Sequence, residues 1–389
     1  MRNCVVLLAL VLMSCHHAGK NSVFVKNTLP FPRKAVVSIP AAHVDSVLQS
    51  DPDLWQIVDA TDGTLVRSQR VDSDGDGRPD ELLFLAVIAA HEERAFELTT
   101  SSAPVPDTSS SRCYGRFVPE RIDDYAWEND LVAFRTYGPE AQRLVDAGEK
   151  GGTLSSGVDC WLKRVPYPII DKWYNKASQG GTYHHDDGEG YDPYHVGNSR
   201  GCGGTGIWID DSLYVSKNFV SYRKIADGPI RAIFELTYAP WRAGGITVTE
   251  QKRISIDLGS QLCRVEDLIT SAEPVPNLTI GIAMHDHKGT VQADAVRGWF
   301  SYWEPMDDSQ LGTGVVIDPV YLIRYEDYRT EKKDLSQIHI LTKPIRNRVV
   351  YYTGFGWAKA GTITSPVLWK AYLDQFSQGV AAPIQVSFN

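Results

Sequence analysis

From residue 21 to the C-terminus the chain is a succession of short runs in which apolar and polar residues alternate, each cut off by Pro, Asp or Gly. SVFVKN, KAVVSIP, ELLFLAVI and AFELTT fill the first hundred residues; LVAFRTY, IRAIFELTY, ITVTEQKRISIDL, LTIGIAMHD, VVYYTGFGWA and IQVSF follow later. A period of two places successive side chains on opposite faces, which is the signature of half-buried strands. Helical patterns are confined to brief stretches near 43–50, 140–147 and 365–375, so a strand-helix-strand alternation is excluded and an all-β chain is expected. Residues 101–112, SSAPVPDTSSSR, have no core-forming period and read as a connection. The expected architecture is therefore a small N-terminal β-sandwich over 21–100 and one large antiparallel domain over 113–389.

Ahead of these units, Arg2, the apolar run VVLLALVLM and Ser14-Cys15 form a secretory leader too short to span a bilayer. Residues 12–15 resemble a bacterial lipobox, in which Cys15 becomes the acylated first residue; an ordinary leader with an incidental cysteine is the alternative. The lipobox implies an exported bacterial protein tethered to a membrane through Cys15, in the periplasm or at the outer membrane. Cys113, Cys160, Cys202 and Cys263 are then either buried thiols or include one disulfide. A net charge of −9 argues against nucleic acid as a partner, whereas 10 Trp and 18 Tyr suit flat polar ligands such as sugars as well as a core.

Residues 180–204 concentrate chemistry. GGTYHHDDGEGYDPYHVGNSRGCGG carries His184, His185 and His195, Tyr183, Tyr191 and Tyr194, four acids and Arg200 between glycines. Such a stretch is too polar for a core, and its tyrosines are unlike a disordered tract, so it reads as a functional loop or, failing that, a solvated connection. On the strand near 133–137, alternation sends Ala133, Arg135 and Tyr137 to one face; Arg135 there meets either an internal acid or a substrate carboxylate. Trp127, Asn129, Lys163 and Arg200 complete the candidate substrate contacts. His285 and His287, at the end of an apolar strand, share a face and could flank a sugar or hold a metal. Asp72, Asp74, Asp76 and Asp80 around Gly77 resemble the first half of a Ca²⁺ loop, but Leu83 stands where the last bidentate ligand belongs; the alternatives are a structural Ca²⁺ and an acidic turn. There is no G-x-S-x-G, P-loop, H-E-x-x-H or dinucleotide fingerprint, hence no organic cofactor is expected.

The segments WENDLVAFRTYGP, GVDCWLKRVPYPIIDKWY, YHHDDGEGYDPYHVGNSRGCGG and DGDGRPDELLF together resemble the DUF4861 family of Bacteroidetes-type lipoproteins over nearly all the mature chain. The resemblance implies a setting among polysaccharide-utilisation enzymes and a large domain similar to the galactose-mutarotase-like supersandwich of several polysaccharide lyases. It assigns no catalytic residue. The residues themselves favour a carbon–oxygen lyase, either a polysaccharide lyase or a dehydratase, acting by β-elimination on uronic-acid oligosaccharides. In that reaction His184 or His185 is the base, Arg135 with Asn129 or Arg200 neutralises the carboxylate, and Tyr191 or Tyr183 is the acid. A glycoside hydrolase drawing on Asp186, Glu189, Asp192 and Glu304 and a non-catalytic glycan-binding lipoprotein are the alternatives. If the lipobox operates, Cys15→Ser shifts the protein from the membrane to the soluble exported fraction; unchanged membrane association in fractionation experiments would rule the tether out.

Overall fold

The computed structural model describes residues 20–102 and 110–389; the leader, Cys15 and most of the Ser/Pro connection lie outside the described residues. The first unit is a small sandwich. One layer runs Gln385–Phe388, Ser22–Lys26, Glu93–Thr100, Trp55–Asp59, Leu65–Val66 and the other Arg33–Pro40, Glu81–Ile88, Ser68–Val71, all neighbours being antiparallel. Alternation drives Val23, Val25, Val37, Ile39, Phe84, Phe96 and Leu98 into the space between the layers. The pattern near 43–50 is helix Ala41–Leu48. One element crosses the expected boundary at 113: Gln385–Phe388 pairs with Ser22–Lys26, so the chain ends in the unit where it begins.

The second unit is a larger antiparallel sandwich. Its main sheet has nine strands, from Phe219–Ala226 through Ile246–Asp257, Leu262–Ser271 and Arg348–Trp357 to Thr290–Asp294. Packed on it are two five-stranded sheets, one centred on Ala133–Thr136 and the other on Leu278–Ala283, which meet at a short parallel bridge between Val158 and Gly201. Trp127 stacks on Phe134 and lies tilted against Phe234, and Phe134 meets Phe355 edge-on, so aromatic rings from both layers fill one continuous core. Helices Pro139–Asp146 and Pro366–Ala381 match the expected short helical stretches. Helix Ile170–Ser178 was not expected, although Ile170, Trp173 and Tyr174 make a buried stripe at helical spacing.

Strand Ile246–Asp257 has the expected wet face, but its inner face carries Glu250 and Lys252 between Val248 and Ile254. Lys252 Nζ lies 2.9 Å from Glu250 Oε1, and Trp241 Nε1 donates to Glu250 Oε2. Thr205 Oγ1 sits 3.0 Å from Glu250 and 2.9 Å from Asp267. One hydroxyl proton cannot serve two carboxylates, so one of the acids donates to the hydroxyl oxygen. Burial and then the charge of Glu250 push the Asp267 carboxyl from 3.8 up to about 8, so the Glu250–Asp267 pair holds one proton between its two carboxyls. A carboxyl raised on folding favours the native state fully below its unfolded value, and that contribution is lost as pH rises through its folded value. The melting temperature of the native chain is therefore expected to fall between about pH 4 and about pH 8 more steeply than that of Asp267→Asn, whose amide still donates to Thr205. Identical slopes in thermal melts would show that Asp267 is ionised.

Candidate functional site

Residues 183–192 form a hairpin closed by Asp192 N–H donating to Tyr183 O at 2.9 Å. Its second limb, Gly190–Tyr191, pairs with Asp159–Lys163, and Gly190 is required there: its φ is +111°, and a Cβ would stand 1.9 Å from Leu162 O. Asp186 Oδ1 accepts the amides of Gly188 and Gly190 and the carboxylate pairs with Arg164 at 3.1 Å, fixing the tip. The loop expected from composition is thus an ordered element laid on a strand edge.

Beneath the hairpin lies Arg135. Its guanidinium touches Asp159 Oδ2 at 2.5 Å and Asp192 Oδ2 at 2.9 Å, comes within 3.7 Å of Asp124, and donates to Tyr183 Oη at 3.1 Å. Tyr137 donates to the same oxygen of Asp159, and the ring of Trp161 covers the cation at 5.0 Å. Burial drives Asp124 up to about 6; burial followed by the charge of Asp159 drives Asp192 well above the usual carboxylate range. Burial opposes the charge on Arg135, but Tyr137, Asp159, Asp192 and Asp124 outweigh it and hold the guanidinium charged. Arg135 and Tyr137 are therefore spent on internal partners. That corrects the assignment of Arg135 as the group that neutralises a substrate carboxylate.

On the outer side of the cluster three residues stand in sequence of contact: Arg121, half-buried, Tyr183, buried, and His184, exposed. Arg121, in the turn Pro119–Arg121, donates through Nε to Tyr183 Oη at 3.1 Å and pairs with no carboxylate among the described residues. Tyr183 Oη thus accepts from two guanidinium groups, which leaves its own proton uncommitted by them. The ring of His184 lies 4.7 Å from that of Tyr183, and its Nδ1 is 2.8 Å from Asp192 O and 3.5 Å from Asp192 Oδ2. A carbonyl only accepts, so Nδ1 carries a hydrogen; in the neutral ring the lone pair is then on Nε2, on a side chain that is 58% exposed. Arg121 escaped the sequence reading because Tyr183, the residue that marks it, is 62 positions away.

Several expected contacts lie elsewhere. Trp127 is fully buried between Phe134 and Phe234. Asn129 spends its amide on the carbonyls of Asp257 and Ser260. Lys163, buried, binds Glu128 at 2.6 Å, and Glu128 in turn accepts the first amides of helix Ile170–Ser178. Arg200 is buried and donates to Ser156 Oγ. None of the four presents a polar group to a ligand. His185 is exposed at the tip and pairs with Asp187. Tyr191 donates to Asp307 at 2.8 Å, and Tyr194 is buried edge-on to His285. The strand before His285 ends at Ala283 and the chain turns, so His285 and His287 do not share a face. His285 instead reaches Glu304 Oε1 at 2.7 Å and His195 O at 2.9 Å, latching the loop to the main sheet. Burial disfavours its charge, but the bond and charge of Glu304 raise it above an ordinary histidine.

A family model described as "Domain of unknown function (DUF4861)" matches residues 25–386. The chain is 42% identical over 371 residues to "Uncharacterized protein P7" of Formosa agariphila, a match covering 94% of this chain and 93% of that protein. Among solved structures it is similar to a protein in the glycosyl hydrolase family 38 from Enterococcus faecalis, with a TM-score of 0.54 at 10% identity over 96% of this chain and 48% of that one. An α-mannosidase from Enterococcus faecalis V583 gives a TM-score of 0.49 at 11% identity over 95% and 46%. The chain spans about half the length of these two structures. At such identity the likeness shows the fold alone, an all-β sandwich architecture.

In the small unit, Asp72, Asp74 and Asp80 bring carboxylate oxygens within 4.8 Å of one another, while Asp76 lies outside that set and caps the amide of Arg78. Asp72 accepts the amides of Gly75 and Gly77, and Asp80 that of Ser73, so the turn holds the three acids together against their repulsion. Hard oxygen donors of this kind suit Ca²⁺. Millimolar Ca²⁺ is expected to raise the melting temperature and a chelator to lower it, with Asp72→Asn abolishing the difference; melts unaffected by either addition would leave an acidic turn.

Proposed function

The chain belongs to the DUF4861 family, and we propose that it is a carbohydrate-active carbon–oxygen lyase acting by β-elimination on uronic-acid oligosaccharides. The observation that carries this reading is the contiguous set Arg121, Tyr183 and His184 on the outer side of the Arg135 cluster, with His184 exposed. Elimination removes the proton beside the sugar carboxylate and expels the oxygen one carbon further on, leaving a carbon–carbon double bond. His184 Nε2 takes that proton, its opposite nitrogen being held by Asp192 O. Arg121, whose charge is only partly offset by Asp124, faces the carboxylate and stabilises the charge that develops on it. Tyr183, whose oxygen already accepts two guanidinium hydrogens, delivers its own proton to the departing oxygen. The Arg135 cluster holds Tyr183 and Asp192 in place behind these groups.

Hydrolysis by paired carboxylates has less support. Asp186 is tied to Arg164, Glu189 to Lys172, Asp192 to Arg135 and Glu304 to His285, so each candidate acid already has a cationic partner. Export and a membrane tether through Cys15 complete the proposal, placing the enzyme where polysaccharide fragments arrive.

Incubation with uronic-acid oligosaccharides should raise ultraviolet absorbance as the unsaturated uronate forms, with product masses showing loss of water or a split without added water. His184→Ala and Arg121→Ala are each expected to lower turnover by roughly 10²-fold or more with little change in melting temperature. Full activity in His184→Ala, or products that have gained water, would overturn the elimination reading.

A further inference from the structure

We infer that the groove between the two units is a second binding site, for a saccharide chain bearing anionic substituents. It encloses about 680 Å³ between strand Arg33–Pro40 of the small unit, the turn at 257–260 of the large one and helix Pro366–Ala381. Clefts between units are where ligand sites recur. Nothing in the elimination chemistry uses this groove, and the inference stands independently of that reading.

The charged lining of the groove is Arg33, Lys34, Arg264 and the ion pair Arg231–Asp257, a cationic excess in a chain of net charge −9. Arg33 and Lys34 line it, and neither pairs with a carboxylate among the described residues. Arg33 is anchored by donating to the carbonyls of Ala382 at 2.8 Å and Gly379 at 3.3 Å, at the end of helix Pro366–Ala381. Those carbonyls orient the guanidinium without cancelling its charge. Lys34 reaches across to the large unit, where a Cβ built on Gly259 would stand 2.8 Å from its Nζ. Arg264, on the opposite wall, pairs with Glu266 at 3.0 Å, and Glu266 is shared with Arg348 at 2.9 Å, so one carboxylate stands against two guanidinium groups. An ammonium and two guanidinium groups around one groove suit carboxylate or sulfate groups spaced along a chain.

The remaining wall is aromatic. Tyr352 and Phe376 have ring centroids 5.0 Å apart, Phe376 and Tyr372 5.9 Å, and Tyr372 Oη is fixed by the amide of Gln261 at 2.9 Å. Tyr372 lies flat on Trp369 at 5.5 Å, and the half-buried surface these rings leave to the groove offers apolar contact to a sugar ring beside the cations that take its substituents. The acidic protein as a whole repels nucleic acid, so a saccharide is favoured over a duplex as the anionic ligand.

Calorimetric titration of the full chain with an oligogalacturonate, a dextran sulfate oligomer, a maltooligosaccharide and a short DNA duplex tests this. The oligogalacturonate or the sulfated chain should bind and the neutral chain should not; which of the two binds more tightly identifies the substituent. The pair Lys34→Glu, Arg264→Ala should weaken the groove class of sites at least about tenfold while leaving any class sensitive to Arg121→Ala unchanged. Lys34→Gln, at an exposed side chain, guards against misfolding of the pair and should give a smaller loss that added salt mimics. Saccharide binding lost in the groove variants but intact in Arg121→Ala supports the groove even where the elimination site fails. Titrations of the groove variants that superimpose on the native one, equal binding of the neutral chain, or tighter binding of the duplex would overturn the inference.

Discussion

A buried guanidinium organises this protein's most unusual region. Arg135 draws together Asp159 from the neighbouring strand, Asp192 from the hairpin and Asp124 from the strand on its other side, and supports Tyr183 with a hydrogen bond. Removing a charge from water is costly, and breaking a buried pair by deleting one partner costs about 3–5 kcal/mol, because the other is left uncompensated. The hairpin therefore cannot lift from the sheet without exposing this imbalance. Its polar residues, which in isolation favour solvent, are pinned to one position by the charge below them.

The same economy appears twice more in the large unit. Lys163 and Glu128 form a buried pair whose carboxylate also receives the first amides of helix Ile170–Ser178, so one interaction fixes both a strand and a helix end. Glu250, Lys252, Thr205 and Asp267 form another between the layers. Each pair supplies geometry that dispersion in an aromatic core does not, since apolar contacts are non-directional. Surrounded by such fixed charges, two groups at the rim of the cluster stand out: exposed His184, and half-buried Arg121, which spends its hydrogen bond on Tyr183.

Connectivity links the two units at both ends of the chain. The last strand pairs with Ser22–Lys26, and Arg33 of the small unit caps the end of helix Pro366–Ala381. These contacts create the groove between the units as a consequence of the fold and place its cations opposite its aromatic rings. The four cysteines Cys113, Cys160, Cys202 and Cys263 are free buried thiols, so hydrogen bonds and packing hold the units without a disulfide among the described residues.

Period-two alternation was enough to establish an all-β chain, the small sandwich and the large one, because side-chain direction along a strand follows from local geometry alone. Composition marked the stretch at 180–204 as too polar for a core, and the fold corrects that reading for its second half: Tyr191, Tyr194, Val196 and Cys202 lie in the main core because buried partners satisfy the polar residues among them. Helix Ile170–Ser178 was legible in principle, through Ile170, Trp173 and Tyr174, but its short polar sequence hid the stripe. Which strand pairs with which was not, since Gln385–Phe388 carries no mark of its partner. Nor was the division of labour among charges. Arg135 and Lys163 resembled ligands in sequence because a charged residue on an apolar strand needs a counter-charge, and only the folded chain decides whether that charge is internal. Arg121 shows the converse. An unremarkable arginine in a turn joins the site because folding carries Tyr183 to it and sets Asp124 within electrostatic reach.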